Sequence, residues 1–119
     1  MPRKYFAEFF AGIGLMREEL ELAGWKVAMA NDIDPLKERL YRNHFPDSDN
    51  HFLLEDIHKS KPSAVPDISL ATASFPCTDL SLAGRRAGLQ GAQSAFWGFV
   101  HLLSAMKNRK PPLILLENV

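Results

Sequence analysis

YFAEFFAGIG, Tyr5 to Gly14, begins with a short aromatic-rich run and ends on two closely spaced glycines. The run, Tyr5 to Phe10, reads as a β-strand, and AGIG as a tight turn. Apolar residues at Leu15, Met16, Leu20, Leu22 and Ala23 then mark a helix, and Gly24 stops it. Strand, glycine turn and helix together form the opening unit of a parallel α/β sheet.

The alternation continues downstream. Trp25 to Ala30 reads as a second strand, ended by Asn31 and Asp32. Asp34 is placed to cap a helix that has Pro35 in its first turn and runs over Leu36 to Phe45. His51 to Leu54 is a short third strand, Lys59 to Pro66 a proline-punctuated loop, and Asp67 to Ala73 a fourth strand. Gly84 to Gly91 reads as loop, Ser94 to Lys107 as helix and Leu113 to Leu116 as a fifth strand. Strands and helices at this spacing predict an α/β, Rossmann-like fold: five parallel strands with helices on both faces.

The bulk numbers bound the function. A chain of 119 residues is one domain at most, and 46% hydrophobic with 24% charged is ordinary for a soluble globular protein. The formal net charge is zero, so any basic surface that meets nucleic acid must be local. The single cysteine, Cys77, has no partner for an internal disulfide, which fits a reducing compartment. No apolar run resembles a signal peptide or reaches transmembrane length, so the chain is expected in the cytoplasm, with no membrane partner and no metal. The apolar run inside the closing stretch PPLILLENV has only three residues after it. The expectation is a fragment, or a chain completed by a partner.

In an open parallel sheet, ligands bind beyond the carboxyl ends of the strands. Gly12 and Gly14 sit at the first such end, where glycine permits the turn and lets a ligand approach the backbone. The match to a dinucleotide fingerprint is partial, because Arg17 occupies the third small-residue position. G-x-G alone is equally a packing turn. Asp32, 20 residues beyond Gly12, is placed to accept hydrogen bonds from ribose hydroxyls, or simply to lead a helix. Asp56 gives a second acid at the same edge, and Ile33 and Ile57 beside these acids are suited to flank a flat ring or to fill a core. The set suggests an adenosine-containing ligand, either a nicotinamide cofactor or S-adenosylmethionine.

Cys77 follows Pro76 past the fourth strand, with Arg85 and Arg86 nearby, and is either a small buried hydrophobe or an activated thiol. Glu117 ends the fifth strand, as a surface cap or as a buried acid with a raised pKa.

EFFAGIG, NDIDP, EDI, SFPC and ENV, in this order, resemble the opening motifs of the DNA cytosine-5 methyltransferase family, and the resemblance covers essentially the whole chain. It implies that residues 1–119 are the N-terminal part of the catalytic domain of a methyltransferase. Phe10, Ala11, Gly12, Ile13 and Gly14 would form the S-adenosylmethionine turn. Asp32 would hold the ribose, Ile33 would pack on adenine, and Asp56 and Ile57 would contact its edge. Cys77, stiffened by Pro76, would be the nucleophile and Glu117 would bind the target cytosine. A loop from Thr78 to Gly91 would close over a flipped base in double-stranded DNA, with Ser81, Arg85 and Arg86 facing the DNA and Gly84, Gly88 and Gly91 as hinges.

The sequence departs from the family pattern at Thr78, where glutamine is common, and at Gln93, where an arginine often opens the next motif. The family's later arginine-bearing strand, target-recognition region and final helix have no counterpart here. The expectation is therefore a catalytic fragment that is inactive or weak without a C-terminal half or second subunit. The other reading is a non-catalytic S-adenosylmethionine-binding module. A nicotinamide oxidoreductase leaves Cys77 and Glu117 without a task.

Overall fold

The computed structural model describes residues 3–75 and 85–118; within it, the side chains of 85–94 and 118 lie outside the description. Five strands form one parallel sheet: β1 (Tyr5–Phe9), β2 (Lys26–Asp32), β3 (Phe52–Leu54), β4 (Leu70–Phe75) and β5 (Leu113–Asn118), in the order β3-β2-β1-β4-β5. Helix α1 (Leu15–Leu22) joins β1 to β2, α2 (Pro35–His44) lies between β2 and β3, and α3 (Arg85–Ala105) precedes β5. The order turns around between β1 and β4, the type of crevice in which α/β proteins bind ligands.

Alternation along the strands divides the core in two. Ala7 and Phe9 of β1 and Ala71, Ala73 and Phe75 of β4 pack against Phe99, Leu102, Leu103 and Met106, the last just past α3. Phe9 meets Phe99 edge-on, with ring centroids 5.3 Å apart. A smaller cluster of Ala11, Ala30, Tyr41, Phe45 and Phe52 fills the space under α2. At the start of α2, Asp34 accepts a hydrogen bond from the Leu36 amide at 2.9 Å, with Pro35 opening the helix, as its sequence predicts.

One expectation is overturned. The stretch from Arg85 to Gly91 is not loop but the first part of α3, a helix of 21 residues. Arg85, Arg86, Ala87, Leu89, Gln90, Ala92 and Gln93 are good helix formers, and they outweigh roughly 1 kcal/mol for each of Gly88 and Gly91. Arg85 and Arg86 thus belong to a helix N-terminus, and Gly88 and Gly91 are not loop hinges. The helix ends before Lys107, whose φ of 55° is left-handed.

On the far side of the sheet, β5 pairs only with β4 among the described residues. Leu113, Ile114, Leu115 and Leu116 remain 42–53% exposed, so both faces of this strand are open. No helix among the described residues is long and apolar enough to cross a membrane.

Candidate active site

The turn after β1 is built from three left-handed residues: Phe10 (φ 55°), Gly12 (59°) and Gly14 (89°). The two glycines serve different ends. A Cβ on Gly14 would lie 2.4 Å from Cε2 of Phe45, so Gly14 lets α2 close on the turn. A Cβ on Gly12 would meet nothing within 4 Å, so that glycine is kept for its backbone conformation and leaves the space above it open. Phe10 adopts this conformation without glycine's freedom, at a cost of roughly 1–3 kcal/mol of the kind stored at ligand sites.

Asp32 fixes the turn from the next strand. Its Oδ2 accepts the Gly12 amide at 2.8 Å, and its Oδ1 accepts the Asp34 amide at 3.0 Å. The sequence reading put this carboxylate on ribose hydroxyls and did not foresee that it braces the glycine turn. Each oxygen keeps a second lone pair for a ligand. Neighbouring Asn31 donates to the carbonyls of Leu53 at 2.8 Å and Glu55 at 3.1 Å, which brings the chain after β3 to the same edge.

There Asp56 Oδ1 accepts the His58 amide at 2.9 Å and starts a one-turn helix, Ile57–Lys59. Asp32, Ile33, Asp56, Ile57 and Phe10 line one cleft of about 190 Å³. Ile33 is exposed at its rim and Ile57 is buried in its wall. The cleft also takes in His58 and Ala95, which sequence reasoning missed because only the fold brings α3 against the turn after β3. Ile13 is exposed on the turn and Ala11 is buried beneath it.

Behind the turn lies a polar cluster that the sequence signalled only as a failed glycine match. Arg17 is buried; it donates to Asp47 at 3.0 Å, to Glu21 at 3.1 Å and to the Tyr41 hydroxyl at 3.1 Å. Its guanidinium stacks 3.9 Å from the Phe45 ring centre. The Arg17 partner holds Asp47 below the usual carboxylate range, whereas burial and then the Arg17 charge lower His51. Arg17 thus ties α1 to α2 and to the loop after it.

Glu8 sits in the middle of β1, 1% exposed, and burial raises its pKa to about 8 against the opposing pull of the Arg17 and Met16 amides and the Arg17 charge. It is in register with Thr72 of β4. Glu8 Oε1 and Thr72 Oγ1 are buried without hydrogen-bond partners among the described residues. The sequence carried a signal here, a lone acid inside an aromatic strand, but gave it no role.

The other expected residues gather at the β4–β5 end. Ser74 is in register with Glu117, and Phe75 with Asn118. Glu117 is exposed at this end of the strand. Pro76, Cys77 and Ser81 lie outside the described residues, as do the side chains of Arg85 and Arg86. No cluster of three or more potential metal ligands occurs among the described residues.

A family model described as C-5 cytosine-specific DNA methylase matches residues 5–119. The type II methyltransferase M.Bsp6I of Bacillus sp. (strain RFL6) is 33% identical over 95% of this chain and 35% of its own length. M.DsaV of Dactylococcopsis salina is also 33% identical, over 96% of this chain and 31% of its own. The crystal structure of the S. pombe Dnmt2 methyltransferase superposes with a TM-score of 0.69 at 24% identity, covering 98% of this chain and 34% of that one. The chain therefore spans about a third of the length of the curated relatives it matches.

Proposed function

The chain belongs to the C-5 cytosine-specific DNA methylase family, and from that membership we propose that it is the N-terminal, cofactor-binding and catalytic part of a DNA cytosine-5 methyltransferase. The observation that carries the reading is the cleft shared by the glycine turn, Asp32 and Asp56, on the same sheet edge as Glu117. The residues fit S-adenosylmethionine. The space above Gly12 admits a ligand, Asp32 keeps lone pairs for ribose hydroxyls, and Asp56 keeps Oδ2 for an exocyclic amine. A complete small-molecule pocket holds roughly 300–1,000 Å³, so this cleft is sized for the nucleoside part rather than the whole molecule.

When bound, S-adenosylmethionine supplies an electrophilic methyl group on sulfur. The chain's task is to make carbon 5 of cytosine nucleophilic. The chain leaves β4 at Phe75, two residues before Cys77. The Cys77 thiolate would add to carbon 6 of the flipped base, and the displaced π electrons would make carbon 5 the nucleophile that takes the methyl group, the sulfonium sulfur keeping the bonding pair and leaving as the neutral thioether S-adenosylhomocysteine. A base then takes the carbon-5 proton, and the returning electron pair expels the thiolate. Glu117, one strand away, would donate its carboxylic acid O–H to ring nitrogen 3 and stabilise the charge that develops as sulfur adds. Double-stranded DNA is the substrate, and a C-terminal half or second subunit supplies target recognition. By itself the chain is inactive or weak.

Co-expression with the C-terminal part of a relative, followed by challenge with duplex DNA containing 5-fluorocytosine and S-adenosylmethionine, tests this. A covalent adduct that disappears in Cys77→Ser is expected. Absence of any adduct from the complemented wild-type protein, with S-adenosylmethionine binding retained, would favour the non-catalytic binding module.

A further inference from the structure

Gly98 lies mid-way along α3, and a Cβ there would come 2.8 Å from Cε1 of His58 and 2.9 Å from Cγ2 of Ile57. Such distances are not tolerated, so the bare backbone of α3 at this point lets the Ile57–Lys59 turn dock. Ile57 and His58 form a partition between two clefts. One is the cleft of Asp32 and Asp56, to which α3 contributes Ala95, one helical turn before Gly98. The other, about 160 Å³, is lined on the far side by Gly98, His101 and Ser60.

Sheet order gives the partition a direction. From the centre outward, the edge presents the glycine turn after β1, Asp32 at the end of β2, then Asp56 and His58 after β3. A ligand with its ribose at Asp32 therefore has its heterocycle toward Asp56, Ile57 and His58. We propose that the His58 imidazole forms part of the wall that contacts the purine ring, and that Gly98 is the positioning residue that holds this wall in place. The inference rests on the S-adenosylmethionine reading of the cleft. A side chain at position 98 must displace buried Ile57, His58 or the helix, and each of these moves reshapes the cleft.

Isothermal titration of the full chain with S-adenosylhomocysteine and with adenosine tests the pair, using His58→Ala, Gly98→Ala and the double variant. His58→Ala is expected to weaken both ligands on the order of tenfold, the loss of one ring contact at the wall of the cleft. Gly98→Ala is expected to weaken them similarly. In the double variant the two losses do not add, because removal of the imidazole relieves part of the clash. A purely helical role for Gly98 predicts the opposite pattern, a higher melting temperature with affinity unchanged, since alanine is the better helix former. Affinities within twofold of wild type in both single variants would overturn the proposal, and a loss in only one would overturn the link between the two residues. If wild type binds neither ligand, the cofactor reading of the cleft itself fails, and this inference with it.

Discussion

The Gly12 amide donates to Asp32 Oδ2 at 2.8 Å across twenty residues of chain, so the ligand-facing turn and the carboxylate beside it are one unit. Asp32→Ala leaves the Gly12 and Asp34 amides without their acceptor and is expected to lower stability by about 1–3 kcal/mol. Asp32→Glu keeps the charge but moves it by one methylene. We expect both variants to weaken S-adenosylhomocysteine binding, with the alanine variant alone losing more than 1 kcal/mol in urea denaturation.

The two glycines of the turn are separable by experiment. Gly14→Ala forces a Cβ against Phe45 and strains a φ of 89°, and should cost roughly 2–4 kcal/mol. Gly12→Ala meets open space and bears only the backbone penalty, about 1 kcal/mol. Urea midpoints should fall further for Gly14→Ala, whereas cofactor affinity per folded molecule should fall further for Gly12→Ala. The reverse ranking of stabilities would contradict the packing role given to Gly14.

Glu8 gives stability a pH dependence of known sign. Its folded pKa, about 8, lies above the ordinary 4.5, so the folded chain holds a proton that the unfolded chain releases. Stability from this group is complete below pH 4.5 and declines through the window up to about 8, on the order of a few kcal/mol in total. Lowered His51 acts in the opposite sense, removing stability as pH falls through its ordinary value toward its folded one. Comparing Glu8→Gln with wild type from pH 5 to 9 isolates the acid. The variant should lack the decline, and parallel curves would refute the assignment.

Arg17 is held by geometry as much as by charge. Arg17→Ala takes one of two partners from the Tyr41 hydroxyl, which keeps His51 Nε2 at 2.8 Å, and removes the stack on Phe45, for an expected loss of roughly 2–3 kcal/mol. Arg17→Lys should recover less than half of it, because an ammonium cannot reproduce the fork that reaches Glu21, Asp47 and Tyr41 together. Thermal melts of the two variants check the order.

Much of this architecture was legible in the residues. The runs YFAEFF, LATASF and LILLEN contain strands β1, β4 and β5, and Asp34-Pro35 announced α2 by chemistry that acts within a few residues. The glycines of the 84–91 stretch misled, because local breakers were outweighed by the propensity of the residues around them. His58, Gly98 and Arg17 carried no readable role, since each is defined by a partner more than twenty residues away. Glu8 was readable as an anomaly, and only burial under α1 shows why its proton stays.

The open flank of β5 ties solubility to function. Leu113 and Leu115 lie on one face of the strand and Ile114 and Leu116 on the other, all in water, while Glu117 continues the same strand. A surface that covers Leu113 and Leu115 runs on to Glu117, the carboxylate proposed above to meet cytosine, because all three share one face of the strand. For this protein, a loss of concentration-dependent self-association on gel filtration would therefore report that the strand carrying Glu117 has been covered. Leu115→Lys should lessen self-association through this flank and leave the Gly12–Asp32 unit untouched.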